Sequence, residues 1–111
     1  VLISAKANVD KAENNAATPS FISAQHGHSD VVKVLISAKA DVDKADHDGD
    51  TPSLISAQNG HSDAVKVLID AKADVDKAEN NGATPSYVSA QNGHGDVVKV
   101  LIDAKADVDK A

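Results

Sequence analysis

The chain has 111 residues, a net charge of -6, no cysteine, and eleven basic residues that are all lysine. Without cysteine, disulfides, thiolate metal sites and thiol catalysis are excluded. Net acidity and the absence of guanidinium forks argue against a nucleic-acid partner, and the longest apolar runs, as around Val34–Ile36, are far too short to span a membrane. A cysteine-free chain fits a reducing compartment, so a cytoplasmic location is expected. Apolar residues make up 41%, but the only aromatics are Phe21 and Tyr87. The core must then come from Val, Leu, Ile and Ala, each burying modest area, so stability must rest on many small contacts.

Taken in order, Val1–Ala7 carries the pattern of a short apolar helix without a partner before it. Thr18-Pro19-Ser20 then opens a helix: Thr is a good N-cap, and Pro suits the first helical position, where its missing N–H costs nothing. The same triplet recurs at Thr51 and Thr84, a fixed period of 33 residues. After each comes Ser-Ala-Gln, then Gly-His, an apolar run, and Ala-Asp-Val-Asp-Lys-Ala. Such a period predicts stacked units, each touching its neighbours, rather than one central core.

The middle copy serves as specimen. Thr51 and Pro52 start a short helix that Asn59-Gly60 stops, with Gly60 in a left-handed conformation. Ser62 is expected to cap a second helix, with Asp63 favourable at its positive end. Val65, Val67, Leu68 and Ile69 form its apolar face, while Lys66 and Asp70 face water. Asp74–Lys77 reads as an extended piece, and Asn80-Asn81-Gly82 as a turn into the next copy.

Asp46-His47-Asp48-Gly49-Asp50-Thr51-Pro52, Gly60-His61, Val65–Ile69 and Ala73-Asp74-Val75 together resemble the ankyrin repeat, and the resemblance covers the whole chain. It implies an all-α solenoid of helix-turn-helix units with hairpin-like loops. The units are residues 1–12 (the tail of a partial repeat), 13–45, 46–78 and 79–111. Departures from the family pattern recur with the period. Ser20, Ser53 and Ser86 stand where the family has a core Leu. Phe21, Leu54 and Tyr87 replace its His, and Lys6, Lys39, Lys72 and Lys105 replace the Gly that ends the second helix. Ala16 replaces a turn Gly. A lost core Leu costs roughly 2–5 kcal/mol if nothing fills the gap. We expect the adjoining Phe, Leu or Tyr to fill it, and the serine hydroxyls to bond carbonyls one turn earlier. The terminal units keep the apolar faces of interior ones, so the chain reads as a segment of a longer array, able to associate end to end.

No constellation for catalysis stands out. Ser56, His61 and Asp63 recur in near-identical copies, which reads as scaffold rather than a triad. Asp46-His47-Asp48-Gly49-Asp50 looks like the start of a calcium loop, but its Gly is misplaced and Ala57 stands where a closing Glu is needed. No cofactor or metal is expected. His28, His61 and His94 recur at Gly-His and read as structural joints between a helix start and the neighbouring loop.

The resemblance implies a protein-binding face made of loop tips and first helices. The candidate contacts are Asn14, Asn15, His26, His47, Asp48, Asp50, Gln58, Asn59, Asn80, Asn81, Gln91 and Asn92. Phe21 and Tyr87 are candidate anchors whose competing role is core filling. The Asp46–Asp48–Asp50 cluster predicts a partner with Lys or Arg opposite the second full unit. A rival reading starts from the near-identity of the copies, about three-quarters between the first two. Under it the chain is a structural spacer or elastic scaffold segment.

Overall fold

A computed structural model describes residues 9–106. The tail Val1–Ala7, with Lys6, lies outside the described residues. Six helices and no strand are found among those described: α1 Pro19–Gln25, α2 Ser29–Ser37, α3 Pro52–Gln58, α4 Ser62–Asp70, α5 Pro85–Gln91 and α6 Gly95–Asp103. The all-α helix-turn-helix expectation holds.

The odd-numbered helices begin as the sequence predicts. The hydroxyl oxygens of Thr18, Thr51 and Thr84 accept hydrogen bonds from the N–H groups of Phe21, Leu54 and Tyr87 at 3.2, 3.1 and 3.3 Å. Pro follows each Thr at the first helical position. The even-numbered helices begin differently from expectation. Their N-caps are His28, His61 and His94, with no side-chain cap bond, and Ser62 is already the first residue of α4. With Ser62 in helical conformation its hydroxyl is one position too late to cap; the third copy has Gly95 there.

Each second helix closes with a left-handed Lys: φ is 69° at Lys39, 67° at Lys72 and 63° at Lys105. The following Ala N–H returns to the carbonyl five residues back, Leu35, Leu68 or Leu101, at 3.0 Å. This is a Schellman closure made with Lys in place of Gly, each at a conformational cost of about 1 kcal/mol. Ala16 is also left-handed, in the tight turn that its N–H closes onto Glu13 O, at φ 67° where Gly49 and Gly82 stand in the next two copies.

Asp74–Lys77 is not extended. Asp74 folds back, its carboxylate accepting the Asp76 N–H at 3.1 Å, and Val75-Asp76 forms a turn. An Asp side chain satisfies the amide two residues on and bends the chain locally.

The helices form two rows. α1, α3 and α5 pack side by side, as do α2, α4 and α6, and each odd helix pairs with the even helix that follows it. The body measures 41 × 25 × 20 Å. Instead of one core there are two interfaces. Ala17, Phe21, Ala24 and Val32 meet Ile55 and Leu68, and Ala57 and Val65 meet Val97 and Leu101. Neighbouring units bury each other's apolar faces, as a one-dimensional stack requires.

Of the residues expected to fill the gap, Phe21 and Leu54 are buried, while Tyr87 is exposed. The expectation that the serines in place of the core Leu bond carbonyls one turn earlier fails at all three; other serines, one turn on, make such bonds. Ser23, Ser56 and Ser89 donate to carbonyls of the previous turn: Ser20 O at 3.2 Å, Pro52 O at 2.8 Å and Ser86 O at 3.1 Å. The hydroxyls of Ser20, Ser53 and Ser86 are buried and have no partner. Each is the second residue of its helix, so no helical carbonyl lies one turn before it.

Candidate functional surface at the loop tips and helix ends

The tips are shaped by short acidic and amide side chains that bond their own loops. Asn15 Oδ1 accepts the Ala17 N–H at 3.0 Å, and Asn81 Oδ1 accepts the Ala83 N–H at 3.1 Å. In the middle copy Asp46 Oδ1 accepts two amides, those of Asp48 and Asp50, each at 3.0 Å. Successive tips are also tied together. The His47 N–H bonds Asn15 O at 3.0 Å, and the Asn80 N–H bonds Asp48 O at 3.0 Å. Asn80 adds a side-chain bond from Nδ2 to His47 O at 3.0 Å. It packs directly onto Gly49, whose φ of 81° and lack of a side chain leave room for it.

At the other end of the odd-numbered helices a second row repeats. Asn59 Nδ2 donates to Gln25 O at 3.1 Å, and Asn92 Nδ2 donates to Gln58 O at 3.0 Å. His26 occupies this position in the first full copy and is exposed, with its ring centroid 6.0 Å from that of His28.

The predicted contact residues therefore fall into two rows. Asn14, Asn15, His47, Asp48, Asp50, Asn80 and Asn81 lie at the tips, and His26, Gln58, Asn59, Gln91 and Asn92 at the helix ends. A seven-residue helix, about 10 Å long, separates them. Between the rows α3 offers little to a partner, since Pro52 through Ala57 are all buried. Asp50 and Gln58 are half-buried and the other ten candidates are exposed. Asn59, Asn80 and Asn92 already hold neighbouring copies together through their side chains.

The structural reading of the repeated histidines holds for His61 and His94. A Cβ on Gly27 would lie 2.6 Å from His61 Nδ1, and one on Gly60 would lie 2.7 Å from His94 Nδ1. Each imidazole thus rests on the bare backbone of the preceding copy. Ser56 is fully buried and its hydroxyl is committed to Pro52 O and Ser53 O. That bonding leaves it in no position to act with His61 and Asp63.

The second tip is the most strongly charged. One carboxylate oxygen from each of Asp46, Asp48 and Asp50 lies within 4.8 Å of the others. Asp48, Asp50, Glu79, Asn80 and Asn81 surround an open hollow of about 300 Å³ between the second and third tips. Burial pushes the Asp50 carboxyl up to about 7, helped by its hydrogen bond with Glu79 and by the negative charges of Glu79, Asp46 and Asp48. Like charges that share a hollow resist joint ionisation. Sequence reading did not single out Glu79. It faces Asp50 from 29 positions on, a spacing that the 33-residue period hides, although Asp50 itself replaces Ala17 and Ala83 of the other copies.

Phe21 and Tyr87, equivalent in sequence, part company. Phe21 is 4% exposed and Tyr87 48%. Tyr87 stands beside Asn81, Gly82 and Ala83 at an open hollow of about 350 Å³. Phe21 belongs to the core, and Tyr87 is open to solvent.

No helix among the described residues is long and apolar enough to cross a membrane. Compared with curated proteins, the chain finds no match. The family pattern described as ankyrin repeats, in three copies, matches residues 20–111. With that match over most of its length, on two rows of paired helices tied at their tips, the chain belongs to the ankyrin-repeat family.

Proposed function

We propose that this chain is a non-catalytic protein-binding module whose loop tips and helix ends contact a partner bearing lysine or arginine. Ankyrin repeats are generally protein-interaction modules. The observation that carries the finer reading is the hollow at the second and third tips, walled by Asp48, Asp50 and Glu79 and rimmed by Asn80 and Asn81. A cationic side chain entering it would meet the carboxyl groups of Asp48, Asp50 and Glu79 and an amide fringe. Complementarity of this kind chiefly sets association rate and specificity.

Panning a displayed peptide library against the chain tests this. The expected outcome is enrichment of Lys- or Arg-containing peptides that associate more slowly, and with weaker salt dependence, when Asp48 and Asp50 are both changed to Asn. Recovery of peptides without basic residues, or unchanged kinetics in the double variant, overturns the reading.

The rival role, a spacer that stacks end to end, is favoured by the outer side of the third unit. There Tyr87, Ala90 and Ile102 are exposed, while their equivalents Leu54 and Ala57 are fully buried and Ile69 is half-buried. Sedimentation at increasing concentration separates the two roles. Growth of chains that Tyr87→Asp abolishes supports stacking, and a constant monomer removes it.

A further inference from the structure

We propose that the joint between the second and third loop tips is fastened by one proton shared between Asp50 and Glu79, and loosens when that proton leaves. The inference stands apart from any partner and rests on the way the tips interlock.

Two joints can be compared. Between the first and second tips, the His47 N–H bonds Asn15 O. The positions that correspond to Asp50 and Glu79 are there Ala17, which is buried, and Asp46, which is spent on its own loop amides. That joint holds no pair of facing carboxyls. Between the second and third tips, the Asn80 N–H bonds Asp48 O and the Asn80 side chain bonds His47 O. Here Asp50 and Glu79 line one hollow from opposite tips.

Asp50 Oδ1 is buried and, among the described residues, has no N–H or O–H donor. The group opposite is a carboxylate, which also lacks a proton of its own to give. Two carboxylates can hydrogen-bond only when one of them is protonated. The charges around Asp50 are all negative: Asp46 and Asp48 on its own tip, and Glu79 from the next. From the preceding tip the loop is met by Asn15, which is uncharged.

With the proton present, the pair is a bridge carrying one negative charge. Without it, two like charges face each other across the same joint that the Asn80 bonds must hold closed. Burial and these neighbours bring the loss of the proton to about pH 7.

The folded chain holds a proton on Asp50 over a range, from 3.8 to about 7, in which the unfolded chain does not. The contribution of this group to stability is therefore fully present below the lower value and lost as pH rises through the upper one.

Amide exchange measured by NMR on the whole chain tests the joint with its own control. The rate at the Asn80 N–H, divided by the rate at the position-47 N–H, cancels the ordinary base catalysis common to both. We expect this ratio to rise severalfold between about pH 6 and about pH 8. It should stay flat in Asp50→Asn, which can donate to Glu79 at any pH. It should also stay flat in Asp50→Ala, which restores the residue of the other two copies. The step should survive in His47→Asn, since only the backbone of His47 takes part in the joint. A flat ratio in the unaltered chain, a step that persists in either Asp50 variant, or a step lost with His47→Asn each overturns the proposal.

Discussion

The second and third units have nearly the same sequence and different surroundings. α3 lies between α1 and α5, while α5 has a described neighbour on one side only. The consequences fall on equivalent positions. Leu54 is fully buried and Tyr87 is 48% exposed. Gly60 carries the His94 imidazole against its backbone, whereas nothing lies within 4 Å of a Cβ placed on Gly93. Burial in this chain is thus set by place in the stack as much as by residue type. Leu54 and Ala57 are covered by the following unit, while Val97 and Leu101 are covered from the preceding one.

The largest effect should come from breaking that cover at its centre. Leu54→Ala removes a side chain buried between α1 and α5, and should lower unfolding free energy by about 2–5 kcal/mol. Tyr87→Ala should lower it by less than about 1 kcal/mol, because much of the ring is already in water. Urea titration of both variants measures the contrast. Equal losses would mean that α5 is covered in solution as α3 is.

The glycines sharpen the same comparison. Gly60 and Gly93 both have positive φ, 77° and 75°, so alanine at either position carries the same backbone strain of about 1 kcal/mol. Only at Gly60 must it also displace an imidazole, from a contact of 2.7 Å. The difference between Gly60→Ala and Gly93→Ala then isolates the histidine joint, and should be about 1–3 kcal/mol. Thermal melts of the pair that coincide would show the His94 ring to be loosely held.

Much of this architecture was legible. The 33-residue period dictated separate interfaces, Thr-Pro marked three helix starts, and Lys in place of Gly marked left-handed closures that are found at Lys39, Lys72 and Lys105. Three features were hidden for physical reasons. Helix register decides whether Ser62 caps α4, and an apolar second turn does not fix the first residue. Asp74 bends its own loop by a bond that the residue string does not distinguish from a solvated charge. The pairing of Asp50 with Glu79 joins unequal positions of adjacent copies, so aligning the repeats conceals it. The candidate contacts were legible as a set. That three of the asparagines also clamp neighbouring copies followed only from geometry.

The smallest predicted effects separate two kinds of buried serine within one helix. Ser53 and Ser56 are both fully buried in α3. Ser56 donates to Pro52 O at 2.8 Å, while the Ser53 hydroxyl has no partner. An unpaired buried hydroxyl is destabilising because its bonds to water are lost and nothing replaces them. Ser53→Ala should therefore raise unfolding free energy by about 1 kcal/mol, and Ser56→Ala should lower it by about 0.5–1.5 kcal/mol. The signs are opposite although the substitution is the same and the sites are one turn apart. Because the unpaired serine recurs at Ser20 and Ser86, replacing all three with Ala should add their effects, since the sites lie in separate units. A gain at Ser53 alone would trace the defect to the sandwiched unit. A gain at all three would trace it to the helix position itself, where the second residue of a helix has no carbonyl within reach.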